Sequence, residues 1–516
     1  MLSRIAWSFV VIVAALVTAH LVFKPPSLDG RTATFAVEAT SSTTLGKIAL
    51  AGPAEPEPSS GVVPLLDGTE AFAARVGLIR TASAAIDVQY YIWQRDATGL
   101  ILLDELRRAA DRGVRVRLLI DDNGISGMDE DLAAIDALPN VEVRLFNPFI
   151  LRTFKSLGYV FDFVRLNRRM HNKSLTADGA VSIVGGRNIG DIYFGFGSGL
   201  QFIDTDVMVA GKAAADIGTD FDGYWRSGSS HPIDRLINPP EPTALGRLIE
   251  DAERAATSTE GRLYYKRLLN SELVRDLAAG RLTFEWTEVV LVSDDPAKGL
   301  GKAADKDLLF PQLMELLSRP KRSVDLVSAY FIPGRKFTDA LVRLASAGLR
   351  VRVLTNSHAA TDVPVVHSAY AKYRPELLRS GVELYELKPE YAVPDESEGP
   401  DIAKSSRASL HSKTLAVDGE RVFVGSFNFD PRSAFLNTEM GVVIDSPGMA
   451  GALDAAFSER FRQRSYVPEV TATGEMVWHE TTTEGTQAPH LSEPSTNAFS
   501  RLLFWMTGKL PIEWLL

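Results

Sequence analysis

The sequence contains no cysteine among its 516 residues. This absence excludes disulfides, thiolate nucleophiles, zinc–thiolate sites and lipid attachment through cysteine. An excess of positive charge is also missing, because the net charge is −10 and the sequence pI is near 5.5. Nucleic-acid binding usually leaves a basic footprint, so we expect no nucleic-acid partner. Histidine is scarce, with only 8 residues, so a repeated arrangement of histidines is informative.

Apolar residues are concentrated at the N-terminus, where residues 5–23 form a long run between two basic residues. As a helix, this run is long enough to cross a hydrocarbon core of about 30 Å. Residues 1–24 therefore predict a transmembrane anchor or a secretory signal segment, and Ala19 could end a small-residue cleavage site. The positive charge of Arg4 favours an N-terminus inside and a protein body outside the cytoplasm.

One stretch of the sequence occurs twice. It reads HNKSLTADGAVSIVGGRN at residues 171–188 and HSKTLAVDGERVFVGSFN at residues 411–428. In both copies a lysine follows the first histidine by two positions, an aspartate by seven, a glycine by fourteen and an asparagine by seventeen. The copies align without a gap, which indicates a duplication rather than a chance similarity.

The segments around the two copies also repeat in order. Residues 84–93, 114–120 and 141–146 are rich in β-branched and aromatic residues and alternate with helical patterns, which predicts βαβ units. The second half repeats this order, at a nearly constant offset, in residues 323–332, 348–356 and 382–389. The pattern predicts an α/β fold of two duplicated domains with mostly parallel sheets.

Composition divides the chain into seven segments. They are residues 1–24 (anchor or signal), 25–62 (flexible tether), 63–237 (domain 1), 238–306 (connector), 307–466 (domain 2), 467–497 (polar linker) and 498–516 (apolar C-terminal segment). Proline, serine and threonine in the second segment predict a tether with little structure of its own. The last segment holds two tryptophans and several leucines, which is unusual for an exposed tail. It is either a helix docked on the core or an interfacial helix at the lipid headgroups.

Each copy of the motif supplies a titratable imidazole, an ammonium group and an amide. Residues two apart on a strand point to the same face, so His171 projects with Lys173 and His411 with Lys413. One imidazole can attack phosphorus to form a phosphohistidine, while the other acts as general acid and base. The lysines and two amides stabilise charge on the phosphate oxygens; the amide candidates are Asn188 and Asn428. This chemistry requires no metal or other cofactor, and we expect none.

Asp178 and Asp418 occupy the same position in the two motif copies, and two interpretations of them stay open. They belong to the catalytic set, or they begin Asp-Gly turns and bind the turn backbone. Other residues interpreted as structural are Asp87, Asp325, His358 and His367. The basic run at residues 165–169 is either a solvated face or a contact for anionic headgroups.

The two copies match the HxKxxxxD motif, and after the tether the chain resembles the phospholipase D superfamily, in particular the bacterial cardiolipin synthases. The resemblance is carried by DVQYYIW from Asp87, RLNRRMHNKS from Arg165, VGGRNIGDIYFG from Val184, SDDPAKG from Ser293, VELYELKP from Val382, VGSFNFDPRS from Val424, LNTEMG from Leu436 and the terminal EWLL. It implies one active site at the interface of two lobes related by a pseudo-twofold axis. It also implies that His171 is the nucleophile, that His411 is the acid/base, and that Glu439 and Asp206 orient the imidazoles.

The resemblance further implies a membrane-associated phosphatidyltransferase that makes cardiolipin through a phosphohistidine. Phosphatidylglycerol is the expected acceptor, and the donor is a second phosphatidylglycerol or phosphatidylethanolamine. Hydrolysis to phosphatidic acid is the alternative for the same site, while a nuclease and a non-enzymatic lipid-binding scaffold are less favoured. The expected partners are thus phospholipids and the membrane. The expected location is the bacterial inner membrane, with a single anchor and the catalytic body on the periplasmic side.

Overall fold

The computed structural model describes residues 2–53, 60–197, 199–317, 320–389, 408–482 and 485–516. Within these residues the chain forms two large sheets flanked by helices, one sheet in each half of the chain. The α/β class and the duplication expected from the sequence are confirmed.

The elements of the first half begin with α1 (Leu2–Val22) and α2 (Thr44–Ala49). The strands of the first domain are β1 (Ser60–Leu65), β2 (Ala85–Ile92), β3 (Arg115–Gly124), β4 (Val141–Phe146), β5 (Ser174–Ala177), β6 (Val181–Gly185), β7 (Gln201–Ile203), β8 (Asp206–Gly211) and β9 (Ser230–Pro232). Its helices are α3 (Gly68–Thr81), α4 (Ala97–Asp111), α5 (Asp129–Asp136), α6 (Lys155–Leu166), α7 (Asp191–Phe194) and α8 (Lys212–Arg226). The middle of the chain holds α9 (Ala244–Thr257), α10 (Thr259–Asn270), α11 (Glu272–Ala278), β10 (Glu285–Thr287) and β11 (Val289–Ser293).

The second half repeats the strand and helix order of the first. Its strands are β12 (Ser323–Ser328), β13 (Arg350–Asn356), β14 (Glu383–Leu387), β15 (Ala408–Leu410), β16 (Lys413–Val417), β17 (Arg421–Gly425), β18 (Met440–Asp445), β19 (Ser465–Val470), β20 (Met476–Thr482) and β21 (Gly485–Thr486). Its helices are α12 (Leu309–Leu316), α13 (Gly334–Ser346), α14 (Pro364–Tyr370), α15 (Arg374–Arg379), α16 (Pro431–Phe435), α17 (Pro447–Ala455) and α18 (Ala498–Gly508). Short 3₁₀ or π helices lie at Ile233–Arg235, Pro296–Leu300, Asp305–Asp307, Ala456–Phe461 and Glu513–Leu515.

The two large sheets are mixed, so the prediction of mostly parallel sheets is wrong. The first sheet has the order β10-β1-β8-β6-β5-β2-β3-β4-β9, and the second has the order β11-β18-β17-β16-β12-β13-β14-β19-β20-β21. Parallel pairing within them is confined to β2-β3-β4 and to β12-β13-β14, where helices connect the strands. Tight turns join β5 to β6 and β16 to β17, and a tight turn forces the antiparallel pairing seen there.

The two domains are joined through their backbones and through an apolar interface. A small parallel sheet pairs β7 of the first domain with β15 of the second. The apolar interface brings Val184 and Val207 of the first domain together with Val424, Met440 and Val442 of the second in one buried cluster. Each domain also has an apolar core of its own, and the interface cluster is separate from these two cores.

The prediction of a flexible tether is wrong for residues 31–49. The Arg31 guanidinium donates to the carbonyl oxygens of Ser227 and Ser230 at 2.7 Å. The buried Arg117 guanidinium donates to the carbonyl oxygen of Thr34 at 2.9 Å. Helix α2 has buried leucine, isoleucine and alanine side chains. Residues 31–49 therefore form a strap fixed to the first domain. Its polar composition gave no sign of this, because buried arginines of the domain bind the carbonyl groups of its backbone.

The predicted polar linker at residues 467–497 is likewise folded over most of its length. Strands β19, β20 and β21 extend the second sheet by antiparallel pairing. The indole of Trp478 is buried and donates to Glu386 at 3.0 Å. The apolar C-terminal segment that follows forms α18, which packs against α14. The sequence pattern missed these strands because β19 pairs with β14, a strand far away in the chain, and such pairing leaves no local signal.

Candidate active site

The two HxK pairs meet at the interface between the domains. The backbone amide of His171 donates to the carbonyl oxygen of Thr438 at 2.8 Å, and the amide of His411 donates to that of Ile203 at 2.8 Å. Each histidine is therefore fixed by a backbone bond to the opposite domain. Both histidines and both lysines that follow them, Lys173 and Lys413, are buried. The expectation that the two copies build one site agrees with this geometry.

Each histidine is oriented by a carboxylate from the other domain. Nδ1 of His171 lies 2.8 Å from Oε2 of Glu439, and Nδ1 of His411 lies 2.5 Å from Oδ2 of Asp204. Both carboxylates are buried, with no more than 2% of either residue exposed. With Nδ1–H donating to the carboxylate, Nε2 keeps its lone pair and is available as a nucleophile or base. The exchange of carboxylates between the domains makes each half-site depend on the other domain.

The prediction that Asp206 orients a histidine is wrong. Its carboxylate accepts from the Arg75 guanidinium at 2.8 Å and from the amide of Arg187 at 3.1 Å. The correct residue is found by comparing the strand pairing of the two copies. Gly185 pairs with Asp206 in the first copy, and its counterpart Gly425 pairs with Gly441 in the second copy. Two residues before these positions stand Asp204 and Glu439. A count of residues from Asn188 gives the wrong aspartate, because β7 lengthens the connection between β6 and β8. The connection between β17 and β18 in the second copy has no described strand of this kind.

Asp178 and Asp418 act on the backbone of turns and not on the phosphate site. Each has a positive φ, 54° and 59° respectively, in an Asp-Gly turn. The Asp178 carboxylate accepts from the amides of three residues at the start of β2: Ser83, Ala84 and Ala85. The Asp418 carboxylate accepts from the matching amides of Lys321, Arg322 and Ser323. At about 3.3 Å per residue along a strand, each aspartate lies roughly 16 Å from the lysine of its motif.

The two asparagines of the motif differ in their surroundings. Both polar atoms of the Asn188 side chain are hydrogen-bonded within the protein. Its Oδ1 accepts from the amide of Ile92 at 3.1 Å, and its Nδ2 donates to the Tyr193 hydroxyl at 3.2 Å. Asn428 is buried, and its Oδ1 has no hydrogen-bond partner. Contact with a phosphate oxygen requires the Nδ2 donor of an asparagine, and that of Asn188 already donates to Tyr193, so Asn428 is the better candidate for this contact.

Aromatic rings pack against both imidazoles. The Tyr91 ring meets His171 edge-on with centroids 4.9 Å apart, and Tyr193 meets His411 in the same way at 5.3 Å. The Phe202 ring, from β7, also lies 4.9 Å from His411. These rings limit the rotation of the imidazoles and lower the local polarity, which strengthens electrostatic effects on the reacting atoms. The sequence reasoning named none of the three, although Tyr91 lies in the DVQYYIW segment.

Burial dominates the protonation equilibria of the site. It lowers the pKa of His171 well below its ordinary value, and the charges of Lys173 and Lys413 lower it further. Burial also lowers the pKa of His411, but the Asp204 carboxylate opposes this change. The pKa of Lys173 falls to about 7 and that of Glu439 rises to about 7, mainly through burial. A phosphate group placed among these residues would favour the charged lysines.

Among the described residues, His367, Glu386 and Glu493 offer three potential metal-ligand atoms within 4.8 Å of one another. The Arg374 guanidinium donates to Glu386 at 2.7 Å and to Glu493 at 2.7 Å. His367 also bonds to Glu493 at 2.8 Å, so the prediction that this histidine is structural is consistent with its contacts. The cluster is thus a buried ion-pair network that fastens the approach to α18 onto α14.

Four further charged residues of the sequence analysis are held in buried or partly buried ion pairs. Asp87 pairs with Arg117 and Asp325 pairs with Arg352, each at 2.6 Å, on matching strands of the two domains. In the basic run, Arg169 is buried against Asp121 at 2.7 Å and Arg165 pairs with Asp162 at 2.6 Å. These two arginines are neither a solvated face nor free to bind headgroups.

Comparison with known proteins places these features in a family. The family described as "Cardiolipin synthase, PLD-like domain" matches residues 76–225 and 313–461. A protein of Escherichia coli (strain K12) named cardiolipin synthase C is 44% identical over 456 residues, which cover 88% of this chain and 96% of that protein. A cardiolipin synthase of Geobacillus thermodenitrificans is 28% identical and covers 79% of this chain and 67% of its own length.

A solved structure shares the fold. The crystal structure of phosphatidylserine synthase from Haemophilus influenzae Rd KW20 matches with a TM-score of 0.52 and 16% identity. The match covers 80% of this chain and 89% of the solved chain. The fold therefore also occurs in an experimentally determined structure.

Proposed function

Because this chain belongs to the family of cardiolipin synthases with phospholipase D-like domains, we propose that it is a phosphatidyltransferase that makes cardiolipin. The observation that supports this most strongly is the pair of buried histidines, each oriented by a carboxylate from the opposite domain. Two oriented imidazoles with two buried ammonium groups fit a two-step displacement at a phosphodiester.

In the first step, Nε2 of one histidine attacks phosphorus and the bond from phosphorus to the leaving alkoxide breaks. The second histidine donates its proton to that alkoxide, which leaves as an alcohol. In the second step, the same histidine takes the proton of the acceptor hydroxyl, whose oxygen attacks phosphorus and releases the first histidine. Lys173 and Lys413 stabilise the negative charge on the nonbridging oxygens during both steps.

We assign the nucleophile to His171 and the acid/base role to His411. The pKa of His171 is lowered more strongly by burial and by two lysines, so its imidazole is neutral and ready to attack phosphorus. Asp204 favours the protonated form of His411, because the pKa of Asp204 itself lies below its ordinary value through the charges of Lys413 and His411, despite burial. Because Asp204 opposes the effect of burial on the pKa of His411, this imidazole accepts a proton more readily than His171 and is the better candidate for the acid/base role.

The proposed substrates are two phospholipids, with phosphatidylglycerol as acceptor and either phosphatidylglycerol or phosphatidylethanolamine as donor. Helix α1 supports a membrane setting, since residues Arg4–Val22 are long and apolar enough to cross a bilayer. Arg4 at its N-terminal end supports a catalytic body on the periplasmic side of a bacterial inner membrane.

The products formed from labelled phosphatidylglycerol test this proposal. Purified full-length protein in mixed micelles is expected to convert two molecules of phosphatidylglycerol into cardiolipin and glycerol. The lipid products can be separated by thin-layer chromatography, with phosphatidylethanolamine added in a second series to determine which lipid is the donor. Phosphatidic acid as the sole product would show that water is the acceptor and would replace the proposal with hydrolysis.

A further inference from the structure

Helix α6 has the reverse of the pattern expected for a helix in contact with water. Its exposed face carries Leu157, Val160 and Val164, which are 52%, 63% and 75% exposed. Its buried positions are Gly158, Asp162 and Leu166, and only the last of these has an apolar side chain. A helix on the surface of a soluble protein places its apolar stripe inward and its polar residues outward. The apolar face of α6 therefore requires a nonpolar partner.

The apolar N-terminal helix lies against this same helix. The rings of Phe23 and Phe161 have centroids 5.4 Å apart, and Nδ1 of His20 lies 3.2 Å from the carbonyl oxygen of Phe161. These contacts occur where α1 ends at Val22. If α1 crosses a bilayer, its end lies at the membrane surface, and α6 lies there with it.

The strap after α1 keeps the first domain close to that surface. Arg31 is bonded to carbonyl oxygens at the end of α8, and the amide of Ala36 donates to the Asp222 carboxylate at 2.9 Å. The Trp225 indole donates to the Thr34 hydroxyl at 3.0 Å. Only a few residues therefore separate the end of α1 from a segment fixed to the domain. The orientation of the domain relative to α1 is constrained.

The C-terminal segment continues the apolar surface from the second domain. Arg432 joins the two parts, because its Nε donates to the carbonyl oxygen of Leu515 at 2.8 Å and its guanidinium donates to Oδ1 of Asn167 at 2.6 Å. Asn167 is the residue at the C-terminal end of α6. Between the two parts, the Phe435 side chain on α16 is exposed. Further exposed apolar residues of the C-terminal segment are Phe499, Leu502, Met506, Leu510 and Trp514.

We propose that α6, Phe435 and residues 499–514 form one docking surface for the lipid bilayer, seated at the headgroup level of the membrane that α1 crosses. Continuity with α1 decides in favour of a bilayer over a second protein copy. Exposed apolar side chains and a tryptophan are the residues that amphipathic interfacial helices insert among headgroups and acyl chains. This surface is an addition to the proposed reaction and does not depend on which lipids react.

The docking surface lies beside the proposed nucleophile. The Tyr159 hydroxyl on α6 donates to Asn123 at 3.3 Å, and the Asn123 amide donates to the Tyr91 hydroxyl at 3.2 Å. The Tyr91 ring in turn packs on His171. A bilayer seated on α6 would therefore present its headgroups next to the site, so that a phosphodiester enters without full transfer of the lipid into water.

Single-cysteine labelling can locate this surface, since the natural chain has no cysteine to give background labelling. Full-length protein carrying His171→Ala, to prevent turnover, receives Val160→Cys or Met506→Cys and an environment-sensitive fluorophore. It is reconstituted in vesicles of phosphatidylcholine and phosphatidylglycerol that contain doxyl-labelled lipid. Both labels are expected to lose emission, and a shallow doxyl group is expected to quench them more than a deep one, because interfacial helices penetrate only about 5–10 Å.

Two further positions serve as controls. Leu269→Cys places the label on an equally exposed leucine, 67% exposed, on α10, where no quenching is expected. Val10→Cys in α1 is expected to be quenched more by the deep doxyl group, which verifies insertion. The proposal is overturned if the labels at Val160 and Met506 behave like the label at Leu269. It is also overturned if the labels at Val160 and Met506 are shielded from water only by a second protein copy. That result would appear as shielding that depends on protein concentration, without quenching by the doxyl lipids. Neither result would bear on whether the enzyme makes cardiolipin.

Discussion

Replacing His171 by alanine is expected to lower turnover of phosphatidylglycerol by roughly 10⁴-fold or more, because the substitution removes the imidazole that forms the covalent intermediate. Cardiolipin formation and phosphatidic acid formation should fall together, since both begin with attack of His171 on phosphorus. Initial rates with labelled lipid, extended to long incubation times, measure the loss. The melting temperature of the variant shows that the residual rate belongs to folded protein.

His479→Ala is a suitable control for this prediction. His479 is a partly exposed histidine that bonds to Glu469 at 2.8 Å on the extended edge of the second sheet, and its loss should leave turnover unchanged. The role of His171 is wrong if its alanine variant loses transfer but continues to hydrolyse lipid near the original rate. In that case water would attack phosphorus directly, without a phosphohistidine.

Glu439→Gln is expected to lower turnover by about 10²- to 10⁴-fold with little change in shape. A glutamine side chain can donate to Nδ1 of His171, which places the imidazole proton on Nε2 and removes the lone pair that attacks phosphorus. The Ser426 hydroxyl, 2.5 Å from Oε2 of Glu439, keeps the side chain of the variant in place. Initial rates, combined with a thermal melt, distinguish this effect from simple unfolding.

Asp206→Asn is the matched control, because the sequence pattern predicts a histidine-orienting role for this residue too. Its carboxylate pairs with buried Arg75, so the substitution is expected to cost about 3–5 kcal/mol of stability while turnover per folded molecule persists. If Asp206→Asn abolished turnover in folded protein while Glu439→Gln did not, the orienting roles would have to be exchanged.

The duplicated motif predicted the four residues of the two HxK pairs and the meeting of both copies. That part was accessible from sequence because the two copies of the motif match position by position without a gap. The carboxylate partner of His411 was not accessible by counting along the chain. Its identity depends on strand register, and β7 changes the length of the connection without changing the register of β8 against β6.

The strap and the extended edge of the second sheet show a different limit. Residues 25–62 and 467–497 have the polar composition of linkers, and composition alone predicts disorder for them. Their structure comes from distant partners: buried arginines bind carbonyl oxygens of the strap, and β19 pairs with β14. Long-range hydrogen bonds of this kind leave no local periodicity, so no pattern within either segment could have revealed them.

The reciprocal carboxylates have a consequence for assembly of the site. Asp204 belongs to the first domain but serves His411, and Glu439 belongs to the second domain but serves His171. If the domains separated, each imidazole would lose the carboxylate that orients it, and each carboxylate would lose its histidine partner. The apolar interface around Val184, Val424 and Val442 therefore stabilises the catalytic geometry as well as the fold.

Trapping the covalent intermediate tests the central claim most directly. Enzyme mixed with phosphatidylglycerol is stopped rapidly under alkaline conditions, which preserve phosphohistidine, and is digested for mass spectrometry. We predict a phosphatidyl adduct, or the glycerophosphoryl adduct left when alkali removes its acyl chains, on the peptide that contains His171, and no adduct in His171→Ala. An adduct on His411, or the absence of any adduct during active turnover, would contradict this assignment.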